Sequence, residues 1–138
     1  MNRYLLDTNV ISELRKPRPH GGVIAWVNGQ GSDQLLLSAM TLGELQVGVE
    51  RTRRQDPAKA NVIEAWVDEL AASYQVLPMD TFCFREWGRI MAGKPDRLIE
   101  DAMIAATARV HQLIVATRNE GDFRQLEVKI LNPFKGSP

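Results

Sequence analysis

The chain has 138 residues, a formal net charge of zero and 44% hydrophobic residues. That length supports one domain with one core, of a size that buries about two thirds of its unfolded surface, and the composition excludes disorder. The charge balance excludes indiscriminate coating of nucleic acid, which needs a strong basic excess, but leaves room for a nuclease whose acidic site is offset by basic groups elsewhere.

Tyr4-Leu5-Leu6 reads as a buried strand ending at Asp7. Val10 to Arg15 reads as a short helix stopped by Pro17 and Pro19, whose rings cannot continue it. Gly21-Gly22 opens a helix through Val27, ended by Gly29 and Gly31. Gln34 to Leu37 is a second strand with Ser38 at its end, followed by a helix from Thr41 to Arg53. Pro57 fits the first turn of the next helix, whose Val62, Ile63, Trp66, Val67 and Leu70 form a core-facing stripe. Tyr74 to Leu77 is a third strand. Asp80 is the expected N-cap of a helix from Thr81 to about Ala92, broken by Gly93-Lys94-Pro95. Asp96 is the expected cap of an alanine-rich helix from Arg97 to His111, and Leu113 to Ala116 and Val128 to Leu131 are the last strands. Strands alternating with helices imply βαβ units, a mostly parallel five-stranded sheet and helices on both faces. The expectation is one α/β domain over residues 1–138.

Cys83 is the sole cysteine, so no intrachain disulfide can form and zinc sites built from cysteine pairs are excluded. This fits a reducing cytoplasm. The opening apolar stretch is too short for a signal peptide, and no apolar run approaches the roughly 20 residues of a membrane span. Phosphate-binding glycine loops and the Gly-x-Ser-x-Gly elbow are absent. His20 lies in a Pro/Gly turn and His111 near a helix end, so a paired-histidine nuclease is weakly supported. Trp26, Trp66 and Trp87 fall on helical stripes and read as core or dimer contacts rather than base-stacking platforms. The clusters Arg15, Lys16, Arg18 and Arg51, Arg53, Arg54 read first as solvated helix ends and second as phosphate contacts.

Four acids stand in chemically suggestive places. Asp7 follows the first strand and Asp122 follows the fourth, so a parallel sheet puts both on one edge, where ligands of open α/β sheets gather. Taken singly, Asp7 could merely cap the next helix and Asp122 could merely sit in a turn beside Gly121. Glu44 lies on a semi-apolar helix with Gly43 and Gly48, and two helical glycines imply close approach of another backbone. Asp101 borders the small face made by Ala102, Ala105 and Ala106; Glu100, about 100° round the helix, faces solvent. Carboxylates brought together repel and take up protons unless a cation intervenes. Hard oxygen ligands select Mg²⁺ or Mn²⁺, ions suited to phosphodiester hydrolysis.

Together these residues resemble the PIN-domain ribonucleases, specifically the VapC/FitB-like toxins of bacterial type II toxin–antitoxin pairs. The matching stretches are Leu6-Asp7-Thr8-Asn9-Val10-Ile11-Ser12-Glu13, Leu37 to Gly48 around Glu44, Asp101 to Ala108, Ala116-Thr117-Arg118-Asn119 with Asp122-Phe123, and Asn132-Pro133-Phe134. The resemblance implies a PIN-like (Rossmann-like) sandwich. It implies that Asp7 and Asp101 are the principal Mg²⁺ ligands, that Glu44 completes the site directly or through water, and that Thr8, Ser38 and, less strongly, Thr117 orient carboxylates or a metal-bound water. Some relatives carry an acid where Asn119 stands and others where Asp122 stands, so both are site candidates. The resemblance further implies an endoribonuclease toxin that hydrolyses RNA with a metal-activated water. It also implies a homodimer and a VapB-like antitoxin that inserts a basic side chain into the pocket and through which alone the assembly meets promoter DNA. The competing reading is a catalytically degenerate domain acting only through protein binding, motivated by Asn119. A phosphotransferase with Asp7 as nucleophile fits less well, because Asn9 stands where a second acid is wanted.

Overall fold

A computed structural model describes residues 1–135. In chain order it contains β1 (Tyr4–Leu6), α1 (Thr8–Glu13), α2 (Gly21–Asn28), β2 (Leu35–Ser38), α3 (Ala39–Arg53), α4 (Pro57–Ser73), β3 (Gln75–Leu77) and α5 (Thr81–Met91). A 3-10 turn (Asp96–Leu98) leads into α6 (Ile99–His111), then β4 (Ile114–Ala116), α7 (Glu120–Arg124), β5 (Ile130–Leu131) and a closing 3-10 turn (Pro133–Lys135). No helix among the described residues is long and apolar enough to cross a membrane.

The five strands form one sheet in the order β3-β2-β1-β4-β5, and every pairing is parallel. Leu5 lies opposite Leu36 on one side and Val115 on the other. The chain runs outward from β1 to β3, then returns to β4 on the far side of β1. That reversal opens a crevice beyond the carboxyl ends of β1 and β4, where Asp7 and Thr117 stand.

Strand alternation divides the core. Leu5, Leu36 and Val115 pack with Ala102, Ala105, Ala106 and Ala108 of α6 and with Phe123. Tyr4, Leu6, Leu35, Leu37 and Ala116 pack with Val10, Ile11, Val23 and Leu70 on the other face. Both faces are covered, which explains strands that read as continuous apolar runs. The alanines let α6 lie close on the sheet. The tryptophans are structural: Trp26 meets Tyr4 edge-on at 4.9 Å, Trp66 packs against the second core, and the Trp87 indole donates to the Ile99 carbonyl at 3.2 Å.

Several expectations need correction. Val62 is 68% exposed; the buried stripe of α4 runs Ile63, Trp66, Val67, Leu70, and Val62 lies one residue off it. Gly43 and Gly48 face open space: among the described residues, no atom of another segment lies within 4 Å of where their Cβ would stand. Asp96 caps nothing: Pro95 precedes the 3-10 turn, and α6 begins without a side-chain cap. Helix α1 starts two residues early because the Asp7 side chain accepts the Thr8 amide. The turn expected around Asp122 is the helix α7, and β5 is shorter than expected. The reading of the Arg51–Arg54 cluster as a helix end fits: Arg51 and Arg53 lie in the last turn of α3, and Arg53 pairs with Glu50 within that helix and with Glu64 across to α4.

Candidate metal centre

The crevice gathers side chains from β1, α1, α3, α6 and the β4–α7 loop. Asp7 is 4% exposed. Its Oδ1 accepts the Thr8 amide at 2.8 Å; its Oδ2 accepts the Thr117 hydroxyl at 2.8 Å and the Asn9 amide at 3.1 Å. Burial pushes the Asp7 carboxyl above its ordinary value, and these three donors pull against that rise. Asp7 is therefore both helix cap and site residue, since a carboxylate at a helix start does not use all its lone pairs on the cap.

Thr8 links Asp7 to Glu44. Its hydroxyl lies 2.8 Å from Glu44 Oε1 and 3.3 Å from the buried Thr41 hydroxyl. Burial raises the half-buried Glu44 carboxyl, and the charges of Asp7 and Glu100 push the same way, against the Thr8 bond. On the other side, Thr117 accepts the Asn119 amide at 2.9 Å, and the Asn119 side chain bridges Asp101 Oδ2 at 3.2 Å and Asp122 Oδ2 at 3.0 Å. Asp101 is pushed up to about 7, first by burial, then by the charges of Asp7, Asp122, Glu44 and Glu100. Asp122 is held low by the Arg97 guanidinium 2.8 Å away and by Asn119.

The structure thus brings Asp7, Glu44, Asp101, Asp122, Asn119, Thr8 and Thr117 into one hydrogen-bonded and electrostatically coupled group. Ser38 lies outside this hydrogen-bonded group. Its hydroxyl accepts the Met40 amide at 3.0 Å as the cap of α3 and bonds none of the acids. Asn9, Thr41 and Arg97 belong to the site although sequence reasoning assigned them no role. Asn9 carried a signal, since an amide two residues from Asp7 can return to it; Arg97, 25 residues from Asp122, carried none.

No lysine, arginine or histidine among the described residues pairs with Asp7, Glu44 or Asp101. No three Asp, Glu, His or Cys side chains among them already stand at ligating spacing around one point. Asp101 is raised to about 7 first by burial and then by the neighbouring carboxylates, so a cation here would relieve a real cost. A group of oxygen donors in which only Asp122 already has a cationic partner, Arg97, fits Mg²⁺ or Mn²⁺.

The network gives a direct prediction. Thr117→Val keeps the shape but removes the buried hydroxyl from Asp7. We expect a stability loss of about 1–3 kcal/mol and a divalent-cation affinity lower by roughly 10–100-fold. Urea unfolding and cation titration of the two proteins measure both; an unchanged affinity removes Thr117 from the site.

Comparison with known proteins agrees with this geometry. The PIN-domain family model matches residues 4–129. The VapC ribonuclease Y4jK of Sinorhizobium fredii is 37% identical over 142 residues, covering 95% of this chain and 97% of the relative. The toxin FitB of Neisseria gonorrhoeae is 35% identical over 138 residues, covering 94% and 97%. The solved structure of FitAB bound to an IR36 DNA fragment superposes with a TM-score of 0.82 at 32% identity, covering 95% of each chain. On the family match over residues 4–129 and these relatives, the chain belongs to the PIN-domain family, in the branch that holds the VapC ribonucleases and FitB.

Proposed function

We propose that the chain is a Mg²⁺-dependent endoribonuclease, with Mn²⁺ able to substitute, and the toxin of a VapBC-like pair. The observation that carries this reading is the hydrogen-bonded chain that runs from Glu44 through Thr8 to Asp7 and on through Thr117 and Asn119 to Asp101, with no Lys, Arg or His among the described residues paired to these three acids. A divalent cation there supplies polarisation of a phosphate oxygen and activation of the attacking water. Asp7, Asp101 and Glu44 would hold it, with Asp122 or Asn119 assisting. Thr8 and Thr117 fix the carboxylate directions, and Asn119 keeps Asp122 beside Asp101.

That last contact bears on the degenerate alternative. Asn119 brings no charge, but its amide draws the Asp122 carboxylate into the group, so the fourth acid is displaced by three positions rather than lost. The FitAB complex bound to a DNA fragment supports an antitoxin and DNA as partners of the assembly; the reading adds an antitoxin whose basic side chain would satisfy the same carboxylates, a homodimer, DNA contact only through the antitoxin, and a cytoplasmic location.

The test is cleavage of total RNA by the purified protein with Mg²⁺ and with excess chelator. Cleavage that survives chelation, or none with either ion, rejects the proposal. A companion measurement follows pH. Between about pH 4 and pH 7 the folded protein retains an Asp101 proton that the unfolded chain releases. Stability therefore falls as pH rises through that window, and the loss is complete above it; Asp7 and Glu44, also raised, act in the same direction. Asp122, Asp80 and Glu120 are lowered, so their stabilising contribution is lost only at lower pH. In chelator, the melting temperature should drop from about pH 5 to about pH 8, and Mg²⁺ should raise it most at the alkaline end. A flat profile, or no response to the ion, counts against the carboxylate site.

A further inference from the structure

An acidic crevice repels RNA unless cations stand at its rim, and most rim cations here are already engaged. Arg97 is paired with Asp122 at 2.8 Å, Lys16 with Glu13 at 2.9 Å, and Arg124 and Lys135 with Glu120 at 3.1 and 2.7 Å. Arg118 is different. Its guanidinium makes no ion pair and no hydrogen bond with any described residue, and lies instead over the Phe134 ring, 4.6 Å from its centre. Phe134 is itself met edge-on by His20, with ring centres 5.4 Å apart, and its amide is held by Asn132 Oδ1 at 2.9 Å.

The backbone of Arg118 is fixed to the site. Its amide donates to Asn9 Oδ1 at 3.1 Å, while the Asn9 side chain also donates to Asp7. Its chain neighbours are Thr117, bonded to Asp7, and Asn119, bonded to Asp101. Three distant segments, contributing His20, Arg118 and Phe134, thus converge on one cation that makes no ion pair with any described residue, whose backbone adjoins the site and whose charge is felt by Glu13.

We infer that Arg118, laid on Phe134, is a substrate-contact residue that grips a backbone phosphate of single-stranded RNA beside the scissile bond. This rests on the ribonuclease reading above. A guanidinium stacked through its face keeps its in-plane donors available, and that planar fork matches two phosphate oxygens. The aromatic platform restricts the side chain beforehand, so less freedom is lost on binding. The charge also offsets the repulsion between the phosphate and the acids. Arg118 is exposed, so its in-plane donors face solvent and are open to a phosphate.

The experiment measures binding of a fluorescein-labelled, random-sequence single-stranded RNA by anisotropy across a salt series, with Ca²⁺ replacing Mg²⁺ and the RNA checked for integrity. Arg118→Gln should weaken binding about tenfold and reduce the slope of log affinity against log salt by about 0.7, one phosphate contact. Arg118→Lys should recover the slope. Phe134→Leu should weaken binding by roughly threefold with the slope unchanged, because the platform orients the cation without supplying charge. All three should keep the Mg²⁺-linked rise in melting temperature. If Arg118→Gln binds with the wild-type affinity and slope while the wild type binds and cleaves, the inference is wrong and the ribonuclease reading stands. A wild type that neither binds nor cleaves RNA overturns both.

Discussion

Asp101→Asn should lower RNA cleavage by about 10³-fold or more while raising the melting temperature of the cation-free protein. The two effects have one origin. Asp101 sits half-buried among Asp7, Glu44 and Asp122, and at neutral pH its ionised form is opposed by burial and by all three charges. The asparagine keeps the volume and removes that opposition, so the fold gains what the pocket loses. Without the carboxylate, cation affinity falls and the Mg²⁺-linked rise in melting temperature shrinks. Asp7→Asn should lose cleavage to the same degree but without the gain in stability, because an amide oxygen that keeps the Thr117 and Asn9 donors turns its NH2 group toward the Thr8 amide, which then loses its acceptor. Cleavage assays run beside thermal melts separate the outcomes. Undiminished cleavage by either folded variant removes that residue from the chemistry, and a fall in the cation-free melting temperature of Asp101→Asn contradicts the repulsion argument.

Phe123→Ala should destabilise the protein by about 3–5 kcal/mol. Phe123 is fully buried in the core that joins α6, β4 and Leu126. It belongs to the five-residue α7, too short to be stable by its own hydrogen bonds. Its ring therefore anchors the segment that carries Asn119 and Asp122. The alanine leaves a cavity and loosens that anchor, so cation affinity should fall together with stability. Phe123→Leu, which refills most of the space, should recover most of both. Urea denaturation gives the first quantity and cation-linked melting the second. A folded alanine variant with unchanged cation affinity would show that Asn119 and Asp122 are positioned by something other than this packing.

Much of the fold was legible because local signals agreed with it. The runs at Tyr4, Leu35 and Ile114 are apolar on both faces, as buried parallel strands require, and Pro57 and Asp80 mark helix starts where they fall. Helix α7 was hidden because five residues containing a glycine carry no measurable period; its existence depends on Phe123 finding a core made elsewhere. Val62 misled because an apolar residue adjacent to a stripe resembles a member of it. The glycines of α3 misled because a glycine can be tolerated on an open surface as well as demanded by a close contact. Among site residues, Asp7 was marked by its place at a strand end, and Asp101 by the small-residue face it borders. The pairing of Arg97 with Asp122 was illegible, since nothing in either neighbourhood encodes the other.

The hydroxyl of Thr117 and the carboxylate of Asp7 that it supports are 110 positions apart. The strand that brings them together is placed after β1, β2 and β3 in the chain and lies beside the first of them. During synthesis, then, the opening segment is made long before its counterpart exists, and the Asp7–Thr117 bond cannot form until β4 and the residue after it are out. A prematurely terminated product that stops before residue 117 has Asp7, Glu44 and Asp101 but lacks the clamp that aligns the first of them. Assembly order alone thus makes the alignment of Asp7 an event that waits for four of the five strands.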